Sequence, residues 1–211
     1  MKPAYDAVLF DLLSALLDSW SLWDKIAGGA AEGRKWRSAY LRRTYQAGAY
    51  RPYEALVAEA AQEAGLAPDV ARELSERYGE VEPWPEVAVV LATLKQHVPL
   101  AVVTNCSEAL AVKAIAAVGV EFDVVVTAER AGFYKPDPRP YRMALEELGL
   151  PAERCLFVAG SPFDLFGIGR VGLPGYWHDR TGMAAPPEAP KLVAHHDTIG
   201  PLADVVLGRL T

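Results

Sequence analysis

Short apolar segments alternate with longer segments of helical spacing along most of the chain. The apolar segments close on a polar residue or a glycine and read DAVLFD, PLAVVTN, FDVVVTA and RCLFVAG, with GYWH as a fifth candidate. Such segments are typical of parallel strands buried on both faces. Helical spacing follows in PEVAVVLATLKQH, SEALAVKAIAAVG, PRPYRMALEELG and PFDLFGIGRVG. The alternation predicts an α/β protein with a doubly wound, Rossmann-like parallel sheet.

A long stretch without strand signals separates the first predicted strand from the others. It covers about residues 16–81 and contains the helical patterns GRKWRSAYLRRTYQAGA, YEALVAEAAQEAG and PDVARELSERYG. Ligands of open α/β sheets bind at the carboxyl ends of the strands, and an insert that leaves from this edge covers them. We therefore predict a helical cap domain over residues 16–81 and a core domain made of residues 1–15 and 82–211.

Composition and charge narrow the classes of partner. The 211 residues are 51% hydrophobic and 23% charged, which is typical of a globular protein. The net charge of −6 favours neither nucleic acid nor an anionic membrane surface as a partner. Two isolated cysteines, no long apolar run and no leader-like N-terminus favour a cytoplasmic protein. A small anionic ligand would then be bound by local positive charge.

Polar residues follow the predicted strands at the points where the strands end. They are Asp11, Thr104 with Asn105, Lys135 and Asp164. A carboxylate beside a lysine and neutral hydrogen-bond donors is oriented and kept ionised, which suits a nucleophile that forms an ester intermediate. An isolated aspartate would more often be a helix cap or a satisfied buried acid, but several such positions together favour a catalytic set.

These residues lie in segments that resemble the haloacid dehalogenase superfamily over nearly the whole chain. The matching segments are FDLLSALLDS, VVTNCS, AGFYKPDPRPY and FVAGSPFD. The resemblance implies a doubly wound core with a helical cap and Asp11 as the nucleophile. Most members of the superfamily are phosphatases, with a second acid where this chain has Leu13 and another where it has Gly160. Leu13 cannot protonate a leaving alkoxide, whereas a halide leaves without a proton.

One branch of the superfamily, the L-2-haloacid dehalogenases, matches the segments WRSAYLRRTY, YKPDPRPY and GLPGYWHDR. This resemblance implies that Arg37 and Asn105 receive the departing halide and that Tyr141 lies near the substrate. It also implies that Lys135 and Asp164 position the water that hydrolyses the ester. The substrate would be a short 2-haloacid, and no cofactor would be needed.

The first and last motifs depart from this branch. Its members usually have an aromatic residue at Leu13, a threonine at Ala15, a serine at Ala159 and an asparagine at Ser161. With these departures, the resemblance still implies a substrate-binding set and a catalytic set. The substrate-binding residues would be Arg37, Thr104, Asn105, Tyr141 and Ser161, and the catalytic residues would be Asp11, Lys135 and Asp164.

Several alternatives remain open from the sequence. A divergent phosphatase would bind Mg²⁺ through Asp11 and Asp164, and a binding protein would keep the fold without turnover. Arg37 shares its segment with four other basic residues and could belong to a solvent-exposed face. Tyr141 could pack in the core instead of meeting a substrate. The tryptophans in and beside the predicted cap fit either packing of cap on core or a homodimer.

Overall fold

The computed structural model describes residues 2–180, 182–184, 190 and 192–209. Within them the strands are β1 (Ala7–Phe10), β2 (Leu17–Asp18), β3 (Glu82–Pro83), β4 (Leu100–Thr104), β5 (Val124–Thr127), β6 (Cys155–Ala159), β7 (Gly175–His178) and β8 (Leu192–His196). The α-helices are α1 (Ser19–Ala27), α2 (Ala30–Ala47), α3 (Tyr53–Ala64), α4 (Val70–Glu76), α5 (Val87–Lys95), α6 (Glu108–Val118), α7 (Ala128–Ala131), α8 (Pro138–Leu148), α9 (Pro162–Val171) and α10 (Leu202–Val206).

The main sheet is parallel, with the strand order β5-β4-β1-β6-β7-β8. The chain builds outward from β1 through β4 and β5, then returns to the other side of β1 and continues through β6 to β8. The α/β doubly wound fold and all five predicted strands are confirmed. β8 is a sixth strand that the apolar pattern did not reveal, because it lies at the sheet edge and its residues are largely exposed.

The strands alternate their side chains between two helix layers. Val8 and Phe10 of β1 pack in the same apolar cluster as Leu91 of α5, whereas Leu9 packs in a second cluster with Ile168 of α9. All four residues of β1 are fully buried. A strand buried on both faces cannot show the alternation of a half-exposed one, which explains the continuous apolar run in the sequence.

The helices α1 to α4, which we call the cap helices, lie between β1 and β3. Their helical character agrees with the sequence, but β2 and β3 form a short antiparallel ladder in which Leu17 faces Pro83 and Asp18 faces Glu82. The expectation that the stretch contains no strand is therefore wrong at its first residues. The ladder places the entry and the exit of the stretch side by side. The division at residues 16–81 stays a prediction.

Aromatic side chains hold the cap helices together. The rings of Trp23 and Trp36 lie 4.4 Å apart and both are fully buried. Trp84, just after the ladder, donates from its indole Nε1 to the backbone oxygen of Ser14 at 3.0 Å. These contacts lie within one chain, so they account for the three tryptophans without a second copy. No helix in the described part of the chain is long and apolar enough to span a bilayer.

Candidate active site

A buried lysine joins two carboxylates where β1 and β6 end. Lys135 Nζ lies 2.9 Å from Asp11 Oδ1 and 2.8 Å from Asp164 Oδ1. The three side chains are nearly buried, with relative exposures of 6%, 7% and 3% for Lys135, Asp11 and Asp164. Charges that are so poorly solvated attract each other more strongly than they would in water. The predicted catalytic residues therefore meet as one ion-paired group.

The turn after β1 fixes the direction of the Asp11 carboxylate. The Asp11 backbone N–H donates to Val158 O at 2.9 Å, which continues the pairing of β1 with β6. The chain then turns back, so that the Ser14 N–H donates to Asp11 Oδ2 at 3.0 Å and the Ala15 N–H points to the same oxygen at 3.4 Å. Both carboxylate oxygens thus accept hydrogen bonds, which fixes the orientation of the carboxylate.

Lys135 is held through its backbone by Asn105, which follows β4. The Lys135 N–H donates to Asn105 Oδ1 at 2.8 Å, and Asn105 Nδ2 donates to Lys135 O at 3.3 Å. Asp137 then accepts from the Arg139 N–H at 2.9 Å and caps α8. The lysine is therefore fixed between a strand end and a helix start, and its side chain reaches back across the edge of the sheet.

The ionisation of the group follows from its burial and its charges. Burial alone would lower the pKa of Lys135, but the negative charges of Asp11 and Asp164 outweigh it and raise that pKa. Burial raises the pKa of Asp164 to about 6, although Lys135 opposes the shift. Lys135 consequently stays charged at neutral pH, and Asp164 loses its proton only in the weakly acidic range.

A second buried cation comes from the cap helices. Arg37 on α2 is only 2% exposed, and its guanidinium carbon lies 4.4 Å from the ring centroid of Trp20. Its Nη2 donates to Ser14 Oγ at 3.3 Å, whereas its Nε and Nη1 have no hydrogen-bond partner among the described residues. A buried cation with free N–H groups is costly unless an anion fills the site. The solvent-exposed reading of Arg37 is therefore excluded.

A small cavity of about 40 Å³ connects the two charged groups. Its lining residues are Asp11, Leu13, Ser14, Arg37, Tyr40, Leu41, Thr44, Tyr45, Asn105, Lys135, Ser161, Phe163 and Asp164. Six of the eight candidate residues from the sequence thus meet in one cavity. A volume that holds only a few waters fits a ligand of a few heavy atoms.

Thr104 and Tyr141 are the two candidates that do not line the cavity. Thr104 is fully buried, and its hydroxyl accepts a hydrogen bond at 3.4 Å from the Cys106 N–H. Tyr141 is also fully buried, and its hydroxyl donates to Asp164 Oδ1 at 3.0 Å. Tyr141 therefore contacts a cavity residue from behind and not the cavity itself.

Part of the cavity wall was missing from the sequence prediction. Tyr40, Leu41, Thr44 and Tyr45 lie on the face of α2 that carries Arg37. Their spacings from Arg37 are three, four, seven and eight residues, which is the period of one helix face. That signal could have found them once Arg37 was assigned to the site.

The donor set does not fit a divalent metal ion. Mg²⁺ is held by oxygen ligands, commonly one or two free carboxylates, but Asp11 and Asp164 already share the Lys135 ammonium. No group of three or more His, Cys, Asp or Glu residues that could hold a metal occurs in the described ranges. A side chain at Gly160 would place its Cβ 2.2 Å from the Ala15 nitrogen, so an acid cannot stand there without moving the turn.

Gly160→Asp is therefore expected to destabilise the protein by about 3 kcal/mol or more, because the clash is with backbone and not with a flexible side chain. Urea unfolding of the variant measures the loss. Gly79→Asp is the matched control, since Gly79 is exposed and a Cβ there meets nothing within 4 Å. Equal stability of the two variants would contradict the close approach of Gly160 to the turn after Asp11.

Comparison with known proteins places this arrangement in a family. The model of the haloacid dehalogenase-like hydrolases matches residues 5–172, so the chain belongs to that family and is a hydrolase. (S)-2-haloacid dehalogenase H-109 of Pseudomonas putida is 29% identical over 199 residues, covering 86% of this chain and 88% of that protein.

Two further comparisons give a phosphatase that is similar in sequence and a dehalogenase that is similar in fold. A phosphoserine phosphatase of Thermus thermophilus is 34% identical over 151 residues, covering 68% of this chain and 60% of that protein. The structure of L-2-haloacid dehalogenase from Xanthobacter autotrophicus with chloropropionic acid covalently bound is 21% identical and superposes with a TM-score of 0.86. That superposition covers 97% of this chain and 99% of the other, and it shows the same fold.

Proposed function

We propose that this protein is a 2-haloacid dehalogenase, which replaces the halogen of a short 2-haloacid with a hydroxyl group. The observation that carries the proposal is the buried Arg37 guanidinium, which has free N–H groups on the same small cavity as the Asp11 carboxylate. One cavity residue then supplies a nucleophile and another an anion site. The (S)-2-haloacid dehalogenase of Pseudomonas putida, similar over most of its length, supports this choice.

In the first step an Asp11 oxygen attacks the α-carbon, and the carbon–halogen bond breaks as the Asp11 ester forms. The electron pair of that bond leaves with the halide, which Arg37 receives. Attack from behind the halogen inverts the α-carbon. Lys135 orients the Asp11 carboxylate and, with Arg37, lowers the cost of bringing an anionic acid into a buried cavity.

In the second step water attacks the carbonyl carbon of the Asp11 ester. Lys135 and Tyr141 both reach Asp164 Oδ1, so Oδ2 is the oxygen left to accept a proton from that water. The products are the 2-hydroxyacid and the regenerated Asp11 carboxylate. Tyr141 acts as a positioning residue for Asp164. This role differs from the direct contact of Tyr141 with the substrate that the resemblance implied.

No acid and no cofactor is required by this reaction. Leu13 stands where a phosphatase needs its proton donor, and it lines the cavity as an apolar residue. A halide leaves as an anion and needs no proton, so the first step can proceed with an apolar side chain at position 13. The same site would leave an alkoxide without a proton, which argues against a phosphate ester as the substrate.

The test is halide release from L-2-chloropropionate with a chelator present, next to turnover of p-nitrophenyl phosphate with Mg²⁺. We expect halide release and D-lactate as the product, because only the first step acts at the α-carbon. Magnesium-dependent phosphate release alone would overturn the proposal in favour of a phosphatase. If neither assay showed turnover and the protein still bound chloropropionate, the result would instead indicate a binding protein.

The pH dependence of turnover should report Asp164. Because the pKa of Asp164 is about 6, kcat should fall as pH drops through 6 and Asp164 gains its proton. The hydrogen bond from Tyr141 lowers this pKa, so Tyr141→Phe should move the acidic limb to higher pH. Tyr5→Phe, far from the cavity, is the control. An unchanged limb in Tyr141→Phe would show that another group titrates.

The protein is proposed to act in the cytoplasm and to form a homodimer. Cys106 and Cys155 are both free and buried, which is consistent with the reducing cytoplasm. Burial raises the pKa of the Cys106 thiol to about 11, so it is no competing nucleophile beside Asn105. The homodimer stays a prediction, and sedimentation of the purified protein would decide it.

A further inference from the structure

Ser14 adds a hydroxyl to the cavity at a position that was not among the binding residues predicted from the sequence. Ser14 is half-buried and lines the cavity with Asp11 and Arg37. Its Oγ accepts a hydrogen bond from Arg37 Nη2 at 3.3 Å. A serine hydroxyl that accepts still has one proton to donate. No described residue accepts that proton, so it is available to a ligand.

The neighbouring Arg37 also has hydrogen-bond donors without an acceptor. Its Nε and Nη1 are buried without an acceptor among the described residues. Ser14 and Arg37, which line the same cavity, therefore carry three donor atoms that have no acceptor among the described residues. A compact anion that accepts several hydrogen bonds is the chemical complement of such a group.

The backbone of Ser14 is held on both sides of its Cα. The Ser14 N–H donates to Asp11 Oδ2, and the Ser14 carbonyl accepts from Trp84 Nε1. On the other side, a Cβ at Gly160 would lie 2.5 Å from the Ser14 Cβ. Gly160 thus makes room for a side chain at position 14, and the hydrogen bond from Arg37 Nη2 holds the hydroxyl at the cavity.

We propose that the Ser14 hydroxyl, together with Arg37, binds the departing halide. This inference rests on the proposed dehalogenase function and names a residue that sets its leaving-group preference. Chloride is a poorer leaving group than bromide and depends more on hydrogen-bond donors as its charge develops. Ser14 therefore matters most for chloroacids, because its O–H donates to the halide as the carbon–halogen bond breaks.

The test compares kcat of wild type and Ser14→Ala on L-2-chloropropionate and L-2-bromopropionate. Loss of one hydrogen bond to an anion should lower kcat about tenfold for the chloroacid and only about threefold for the bromoacid. Ser38→Ala is the matched control, because Ser38 is exposed on the same helix as Arg37. Equal losses on the two acids would overturn the inference while leaving the dehalogenase function intact.

Chloride binding gives a readout that does not depend on turnover. Line broadening of the chlorine-35 resonance, titrated with sodium chloride alone, should show a site in the wild type that Ser14→Ala weakens severalfold and Ser38→Ala does not change. An unchanged affinity in Ser14→Ala would overturn the role of Ser14. If the wild type released no halide from either acid, the proposed function would fail, and this titration would still decide whether Ser14 binds the anion.

Discussion

Asp11→Asn is expected to abolish halide release, with a loss of at least about 10³-fold in kcat. A carboxamide oxygen is a poor nucleophile at neutral pH, and the aspartyl ester cannot form without a carboxylate. The fold should persist, because an amide oxygen can still accept from the Ser14 N–H that now reaches Asp11 Oδ2 at 3.0 Å. Ion chromatography of released halide measures the first effect, and thermal unfolding measures the second.

Isotope transfer makes the Asp11 experiment sharper. In a single turnover of wild type in water enriched in oxygen-18, the label should enter Asp11 and not the product, because water attacks the ester carbonyl. Asp18→Asn is the matched control, since Asp18 is a half-buried helix cap outside the cavity, whose Oδ1 accepts from the Ser21 N–H. Substantial halide release by Asp11→Asn, or label in the first product, would show direct attack of water on the substrate.

Lys135→Met should cost both activity and stability. Without the ammonium, the carboxylates of Asp11 and Asp164 lie buried near each other with no cation at either Oδ1. Breaking a buried ion pair by removing one partner typically destabilises a protein by about 3–5 kcal/mol. We expect kcat to fall by about 10²-fold or more, because the nucleophile loses the ammonium that orients it.

The stability loss in Lys135→Met should depend on pH in a definite direction. Lys135 opposes the raised pKa of Asp164, so its removal raises that pKa further. A carboxyl whose pKa is higher in the folded state destabilises the fold increasingly as pH rises from its unfolded-state pKa to its folded-state pKa. The loss of Tm should therefore be larger at pH 8 than at pH 5. Lys35→Met, on an exposed position of α2, should show neither effect, and a pH-independent loss in Lys135→Met would contradict the ion-paired arrangement.

The sequence predicted the fold well where buried elements appear as a recognisable pattern of apolar residues. Strands buried on both faces are continuous apolar runs, so β1, β4, β5, β6 and β7 were all foreseen. β8 was not, because an edge strand with exposed residues has no such run. The β2–β3 ladder was missed because it pairs residues more than sixty positions apart and holds two residues on each side.

The charged residues of the candidate site could be predicted from the sequence, but which candidate side chains line the cavity could not. Asp11, Lys135 and Asp164 meet because the carboxyl ends of parallel strands share an edge. Whether a side chain faces the cavity or the layer behind it depends on packing, which is why Thr104 and Tyr141 lie outside the cavity wall. Ser14 was not predicted as a site residue, because its hydroxyl is recruited to the cavity by a hydrogen bond from Arg37, more than twenty positions away in the sequence.

The β2–β3 ladder has a consequence for how this architecture diversifies. Because the cap helices leave and rejoin the chain at neighbouring points, an insertion or deletion among them does not change the spacing of the core strands. Asp11 and Lys135 lie at the edge of the main sheet, whereas Arg37 lies on α2, between the two strands of the ladder. A change in length among the cap helices can therefore move Arg37 while Asp11 and Lys135 keep their ion pair, and the Arg37–Ser14 hydrogen bond is the contact that such a change would break first.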